Sequence, residues 1–161
     1  MPFLSLLDLF TWIDRTALGE FIRGSSWLFA FIEVFHLLGI TLLLGTVLLV
    51  NLRLLGFGST TEPVANTAED AGPWMLAGLA LAVTSGLCLF VSEALKCYNN
   101  PPFFVKMGLL SLALLFTFTA HRRLTRSAAA NTSMLWRRAA ACLSLLLWFG
   151  VGLAGRAIAF Y

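Results

Sequence analysis

Four long runs of apolar residues dominate the sequence, and each is long enough to cross a lipid bilayer. They cover residues 25–53, 73–95, 103–121 and 135–160. One crossing takes about 20 apolar residues, so a chain of 161 residues has room for four crossings and short connections. The runs are unbroken, whereas strands of outer-membrane barrels alternate apolar and polar positions over about ten residues. The sequence therefore predicts a single all-α domain built as a bundle of four transmembrane helices.

The charge content excludes most soluble functions. Charged residues make up only 12% of the chain, against about a quarter in soluble domains, so a soluble enzyme or a soluble binding module is excluded. The net charge of +3 does not indicate a nucleic-acid partner, because five arginines cluster at the connection between the third and fourth runs, three of them between the runs and two at the start of the fourth, as is typical of a cytoplasmic loop. These are Arg122, Arg123, Arg126, Arg137 and Arg138.

The position of this loop predicts the orientation. If the loop is cytoplasmic, the first connection, which follows Arg53, lies on the same side, and the second connection and both termini lie on the other side of the membrane. We therefore expect a multi-pass protein of the bacterial inner (cytoplasmic) membrane with periplasmic N- and C-termini. The lipid bilayer is therefore the first expected partner of the chain.

Residues 3–22 have a different pattern from the four apolar runs. Polar residues recur at helical spacing at Ser5, Asp8, Thr11 and Arg15, and the remaining surface is apolar. A secretory signal peptide has an uninterrupted apolar centre, which this segment lacks. The pattern predicts an N-terminal amphipathic helix that lies in the membrane interface.

Glycine and proline residues mark boundaries and contacts along the second crossing. The pair Gly72–Pro73 predicts that this crossing starts there, after a short surface helix within residues 58–72. Gly78, Ala82 and Gly86 follow at intervals of four. Small residues at this spacing allow helices to approach closely, so they predict the packing face of the second crossing.

Two ionisable residues lie deep in the first crossing. Glu33 and His36 are one helical turn apart, and His36 lies about 13 Å along the helix from Trp27, inside the hydrocarbon region. A charge at the bilayer centre costs about 2.5–3.5 kcal/mol, so such residues usually face the bundle interior or a polar site. A glutamate–histidine pair that only joins helices is an open alternative.

Further residues with polar or metal-coordinating side chains fall in the same half of the membrane. Glu93 ends the second crossing, Lys106 and Met107 begin the third, and Trp148 and Arg156 share a stripe on the fourth. They predict a polar pocket that opens toward the periplasm, although the ionisable residues near the interface could also extend to water. The acidic members of this pocket would be Glu33 and Glu93.

This combination matches the needs of b-type haem. An imidazole binds the iron, small residues leave room for the flat macrocycle, and cations near the surface pair with the propionates. The haem could have a methionine as second ligand or be five-coordinate. The predicted cofactor-binding residues are His36, Met107, Lys106, Arg156, Trp148 and Gly39, with His36 as the iron ligand.

Several segments resemble a family of small uncharacterised bacterial four-helix membrane proteins. They are His36-Leu37-Leu38-Gly39, residues 51–56, residues 100–107 and residues 155–159. The likeness spans most of the chain. Where that family typically carries Asp, this chain has Asn51, which places a proton-transfer role for this position in doubt.

More distantly, the first-crossing His36 and the Phe-x-x-Lys start of the third crossing are similar to two other groups. These are the copper-resistance D type membrane domains and the bacterial membrane protoporphyrinogen oxidase that binds haem b. The resemblance implies haem or copper handling and electron transfer.

Three functions follow as expectations. The first is a haem b protein that passes electrons near the periplasmic side, with the quinone pool or a redox protein as partner. The second is a non-catalytic anchor or accessory subunit of a larger complex. The third is a small proton- or metal-ion-handling membrane protein that uses Glu33, His36 and Glu93.

Overall fold

A computed structural model describes residues 5–58, 63–121 and 133–160. Within these ranges the regular structure is helical and no strand is present. Four spans are long and apolar enough to cross a membrane, which confirms the predicted all-α bundle. The helices are α1 (Leu6–Asp14), α2 (Ala17–Arg23), α3 (Ser26–Leu55), α4 (Val64–Ser92), α5 (Ala94–Tyr98), α6 (Pro101–Phe116) and α7 (Met134–Ala157).

The N-terminal segment is two helices and not the single helix predicted for residues 3–22. Ser5 caps α1, because its hydroxyl accepts the Asp8 N–H at 3.2 Å while the Asp8 carboxylate accepts the Ser5 N–H at 3.0 Å. A second start signal follows at Thr16, whose hydroxyl accepts the Gly19 N–H at 3.3 Å and caps α2. This second cap divides the segment. Apolar side chains on both helices are exposed, among them Trp12 and Phe21.

The predicted helix break at Gly72–Pro73 is absent, because one helix passes through it. Helix α4 begins at Val64, after Pro63 in extended conformation, and continues through Pro73 to Ser92. Pro73 has no N–H for the carbonyl four residues earlier, yet transmembrane helices accommodate proline. The expected short surface helix is therefore the first part of α4. Residues 59–62 lie outside the described residues.

The other helix ends also differ from the predicted bounds. Helix α3 continues to Leu55, and Gly56 ends it in the left-handed conformation with φ of 98°. Helix α4 stops at Ser92, and α5 follows it after Glu93. Pro101 occupies the first turn of α6, where its missing N–H has no helical partner to lose. Helix α6 passes into a π-helical turn (Thr117–His121), and α7 into a 3-10 turn (Ile158–Phe160).

Helices α3 and α4 form a close antiparallel pair. A Cβ atom added to Gly39 would lie 2.6 Å from the Ala82 nitrogen, and one added to Gly78 would lie 2.7 Å from the Leu43 nitrogen. The two backbones are thus in direct contact. Gly78 and Ala82 lie on the packing face of α4, as predicted. Helix α6 packs against α7, and α7 also packs against α3, which joins the two pairs.

Side-chain hydrogen bonds join α7 to two of its neighbours inside the bundle. Asn51 is fully buried and donates from Nδ2 to the Ser144 hydroxyl at 3.0 Å. Trp148 donates from Nε1 to the Thr117 hydroxyl at 3.1 Å. Buried polar groups are satisfied in this way, and the bonds tie α7 to α3 and α6.

One end of the bundle carries α1, α2 and α5, the start of α3 and α6, and the end of α4 and α7. We call it the N-terminal end. Arg122, Arg123 and Arg126, which predict the membrane orientation, lie outside the described residues. The periplasmic location of the termini therefore stays a prediction.

Candidate functional site around His36

The imidazole of His36 lies between α3 and α4 and is half-buried. Its Nδ1 atom is 2.8 Å from the Ala82 carbonyl oxygen and 3.1 Å from the Ser85 hydroxyl oxygen. The prediction that His36 faces the bundle interior agrees with this position. The neighbours are helix backbone and a hydroxyl, so the Glu33 side chain does not hold the ring.

The neighbouring groups fix which nitrogen carries the proton in the neutral imidazole. The Ala82 carbonyl can only accept a hydrogen bond. The Ser85 hydroxyl has one proton, and its oxygen lies 2.6 Å from the Leu81 carbonyl, to which it donates. Toward His36 the Ser85 oxygen is therefore also an acceptor. Nδ1 must carry the proton, which leaves the lone pair on Nε2.

The Nε2 atom has no hydrogen-bond partner within the part of the chain that the structure describes. A histidine that donates from Nδ1 to a carbonyl and presents a free Nε2 has the arrangement of a metal-ligating histidine with its supporting hydrogen bond. The donor set is one imidazole. It fits a haem iron, which needs one or two axial protein ligands.

Gly86 provides the surface against which the imidazole packs. A Cβ atom added to Gly86 would lie 2.9 Å from His36 Cε1 and 3.4 Å from Nδ1. The sequence pattern predicts Gly86 as a helix-packing residue. The structure confirms that Gly86 lies on the face packed against α3, and the neighbour for which it makes room is the ring of His36.

Lys106 is the cation nearest to this site on α6. Its stem packs against Gly155 of α7, where an added Cβ would lie 3.5 Å from Lys106 Cε. The side chain is half-buried and close enough to His36 for its charge to act on the imidazole. Among the described residues, its ammonium group has no hydrogen bond or ion pair. An unpaired ammonium group at this depth can bind an anionic group.

The two acidic residues of the predicted pocket have different surroundings. Glu33 is exposed on α3, and its charge acts on His36. Glu93 forms an ion pair with Lys96, at the break between α4 and α5. The role of both carboxylates in one pocket stays a prediction.

The structure places Trp148 and Gly39 in helix packing, and their cofactor-binding roles stay predictions. Trp148 is 4% exposed and belongs to the apolar core with Leu43, Val47 and Val151. The space beside Gly39 is filled by the backbone of α4, because the helices touch there. Both residues serve helix packing, and the shared stripe of Trp148 and Arg156 does not predict a shared pocket.

Met107 and Arg156 are both exposed. Met107 follows Lys106 on α6 and is rotated from it by about 100°, so the two side chains leave the helix in different directions. The Arg156 guanidinium carbon lies 5.3 Å from the centroid of the Phe160 ring, a cation–π contact at the end of α7. The roles of Met107 as second iron ligand and of Arg156 as propionate partner stay predictions.

The chain belongs to a protein family that covers almost all of it. A family model described as a family of unknown function (DUF6644) matches residues 9–161. This chain is a member of that family. Comparisons with curated proteins and with solved structures gave no match. The likeness of this DUF6644 member to copper-resistance D domains and to protoporphyrinogen oxidase stays a prediction.

Metal-ion binding by several side chains finds no support in this DUF6644 protein. Within residues 5–58, 63–121 and 133–160, no three His, Cys, Asp or Glu side chains lie close enough together to hold a metal ion.

Cys97, in α5, is half-buried. Burial and, to a smaller extent, the nearby Glu93 carboxylate raise the pKa of its thiol. The thiol is thus protonated at neutral pH and a slow nucleophile.

A polar cluster that the sequence analysis missed attaches α1 and α2 to the N-terminal end. Arg23 donates to the Ser92 carbonyl and forms an ion pair of 3.1 Å with Asp14. The Asp14 carboxylate also accepts the Leu95 N–H at 3.3 Å. A Cβ added to Gly19 would lie 2.7 Å from the Val91 carbonyl oxygen, so α2 touches the end of α4. The pairing of Asp14 with Arg23 spans nine residues and has no simple sequence signature.

Proposed function

We propose that this DUF6644 protein is a b-type haem membrane protein that transfers electrons at the N-terminal end of its bundle. His36 binds the iron through Nε2, and Lys106 pairs with a propionate. Haem bound by imidazole supplies one-electron oxidation and reduction. The redox partner is a quinone or a redox protein, and the site faces the periplasmic side of the bacterial inner membrane.

One observation carries the proposal, namely the hydrogen bonding of His36. The Ala82 carbonyl and the Ser85 hydroxyl are 2.8 and 3.1 Å from Nδ1, and both accept its proton. This leaves a lone pair on Nε2, which has no hydrogen-bond partner among the described residues. A histidine that only joined helices would gain more by using both nitrogens.

Lys106 gives independent support. A half-buried ammonium group without an acidic partner in the described chain is costly in a membrane, and a bound carboxylate would offset that cost. His36 lies in the first half of α3 and Lys106 in the first half of α6, so an anion bound to Lys106 would lie toward the same end of the bundle as the imidazole. Haem brings two carboxylates together with its iron.

The visible spectrum of the purified protein tests the proposal. We expect a Soret band in protein expressed with adequate haem and purified in detergent, with a reduced spectrum typical of b-type haem. His36→Gly should lose this band. Exogenous imidazole should restore it in the same variant, which separates ligand loss from misfolding.

His121→Ala is the matched control, because His36 and His121 are the two histidines of the chain. This variant should keep the Soret band. Lys106→Gln should weaken haem retention, whereas Lys106→Arg should preserve it. Wild-type protein without a Soret band, or His36→Gly protein that keeps its haem without added imidazole, would contradict the proposal.

The same purification tests the two other expected functions. An anchor subunit would lack a chromophore and would co-purify with a defined partner protein. A metal-ion protein would hold a stoichiometric metal ion without a visible chromophore. Either result would replace the haem proposal.

A further inference from the structure

We propose that Ser85 is a positioning residue for His36, which strengthens the preference for the proton on Nδ1 and tunes the redox potential of the iron. The redox part of this inference rests on the proposed function. The tautomer part rests on geometry alone, since it concerns only the neutral side chain of His36 and its neighbours on α4. The two parts can therefore fail separately.

The role of Ser85 follows from counting protons. Its hydroxyl donates to the Leu81 carbonyl at 2.6 Å, whereas the Ala82 carbonyl is 3.4 Å away. With its only proton committed, the oxygen offers a lone pair to His36 Nδ1 at 3.1 Å. Ser85 is 6% exposed, so water does not readily replace this acceptor.

The two acceptors differ in what a substitution can remove. The Ala82 carbonyl belongs to the backbone and is present in every variant. Ser85→Ala removes the second acceptor while leaving the first and creating only a small cavity. We expect this substitution to loosen the preference for the proton on Nδ1 without releasing the ring from α4.

The same hydrogen bonds affect a bound metal. An acceptor at Nδ1–H makes the imidazole a stronger electron donor through Nε2, which favours the oxidised metal. Loss of the Ser85 acceptor should therefore shift the midpoint potential to a more positive value. The haem content should stay close to that of the wild type, because the ligand itself is present.

Nitrogen-15 NMR of histidine-labelled full-length protein tests the tautomer without haem. Two histidines give few signals, and His121→Ala assigns them. At a pH where the imidazole is neutral, wild-type His36 should carry its proton on Nδ1. Ser85→Ala should increase the fraction with the proton on Nε2, and Ser85→Thr, which retains a hydroxyl, should restore the wild-type signal.

Ser92→Ala is the matched control on the same helix. Ser92 is fully buried, and its hydroxyl donates to the Leu89 carbonyl at 2.8 Å. This variant should leave both the tautomer and the midpoint potential unchanged. The same tautomer in Ser85→Ala and wild-type protein would overturn the inference, whether or not haem is present. A missing Soret band in the wild type would overturn the proposed function and the redox part, while the tautomer result would stand.

Discussion

The imidazole of His36 lies against the backbone of Gly86 so closely that any side chain at residue 86 would collide with it. A Cβ atom there would stand 2.9 Å from His36 Cε1, well inside the normal carbon–carbon separation of about 3.5–4.0 Å. The ring is thus confined on the side of α4. Its position depends on Gly86 as well as on its hydrogen bonds.

Gly86→Ala should therefore displace the imidazole from its acceptors on α4. We expect the dissociation constant for haem to rise roughly tenfold, the change that about 1.4 kcal/mol of lost binding free energy produces, so that less haem is retained. The measurement is the Soret absorbance during titration of the protein with haem in detergent, followed by haem content at matched protein concentration. Gly72→Ala, at a position on the same helix with open space around it, should retain the wild-type content. Equal haem content in the two variants would show that Gly86 does not confine the ring.

Gly39→Ala should lower the free energy of unfolding. The added methyl group would meet the Ala82 nitrogen at 2.6 Å, and backbone atoms cannot move aside as a side-chain end can. Overpacking of this kind costs about 1–3 kcal/mol. Gly45→Ala is the control on α3, because nothing lies within 4 Å of that position. Denaturant unfolding in detergent would measure both, and equal stability would contradict the close contact of α3 and α4.

Trp148→Phe should reduce stability while leaving haem binding intact. The substitution keeps most of the buried ring but removes the 3.1 Å hydrogen bond to Thr117. We expect a loss of about 0.5–1.5 kcal/mol in the free energy of unfolding. Visible spectra recorded on the same preparations should match the wild type. A folded Trp148→Phe variant that lacks haem would show that Trp148 contributes to haem binding.

Arg23→Ala should release α1 and α2 from the N-terminal end of the bundle. Arg23 contacts Asp14 and the Ser92 carbonyl, and charge-assisted hydrogen bonds of this kind stabilise by about 1.5–3 kcal/mol. A third of the side chain is exposed, so we expect the low end of that range and roughly tenfold faster amide hydrogen exchange in both helices. Arg15→Ala is the control, because Arg15 is exposed and makes no ion pair among the described residues. Equal exchange in the two variants would exclude this attachment.

The start of α1 should depend on pH through Asp8. Hydrogen bonds from the side chain and backbone of Ser5 lower the pKa of Asp8. The contribution of this cap is complete above the ordinary aspartate pKa and disappears as the pH falls through the lowered value. NMR titration of the Asp8 carboxyl group should show the lowered pKa, and Ser5→Ala should raise it. Thr11→Ala should not, since the Thr11 hydroxyl donates to the Leu7 carbonyl instead.

The helical architecture could be predicted because long apolar runs are local signals of the sequence. Pro73 shows the limit of such signals. A proline marks a helix start in one context and is accommodated inside a transmembrane helix in another, and the choice depends on the surrounding helix. Thr16 is the opposite case, because its capping hydroxyl divides a segment whose polar stripe alone suggests one helix.

The candidate site could be predicted in part. The depth of His36 follows from its position in the first apolar run. The depth of Lys106 follows from its position near the start of the third run. The contacts of Ser85 and Gly86 with His36 could not be predicted, because they depend on the antiparallel register of α3 and α4. Sequence spacing gives the face of a helix on which Trp148 or Gly39 lies, but it does not give what that face contacts.

The close pairing of α3 and α4 has a consequence for biosynthesis. His36, the carbonyl of Ala82, the hydroxyl of Ser85 and the bare backbone of Gly86 all belong to one helical hairpin that ends at Ser92. The orientation of the imidazole can be established as soon as this hairpin has inserted. The imidazole can therefore be oriented before the third crossing has been synthesised, since Lys106 lies on a helix that follows later in the chain.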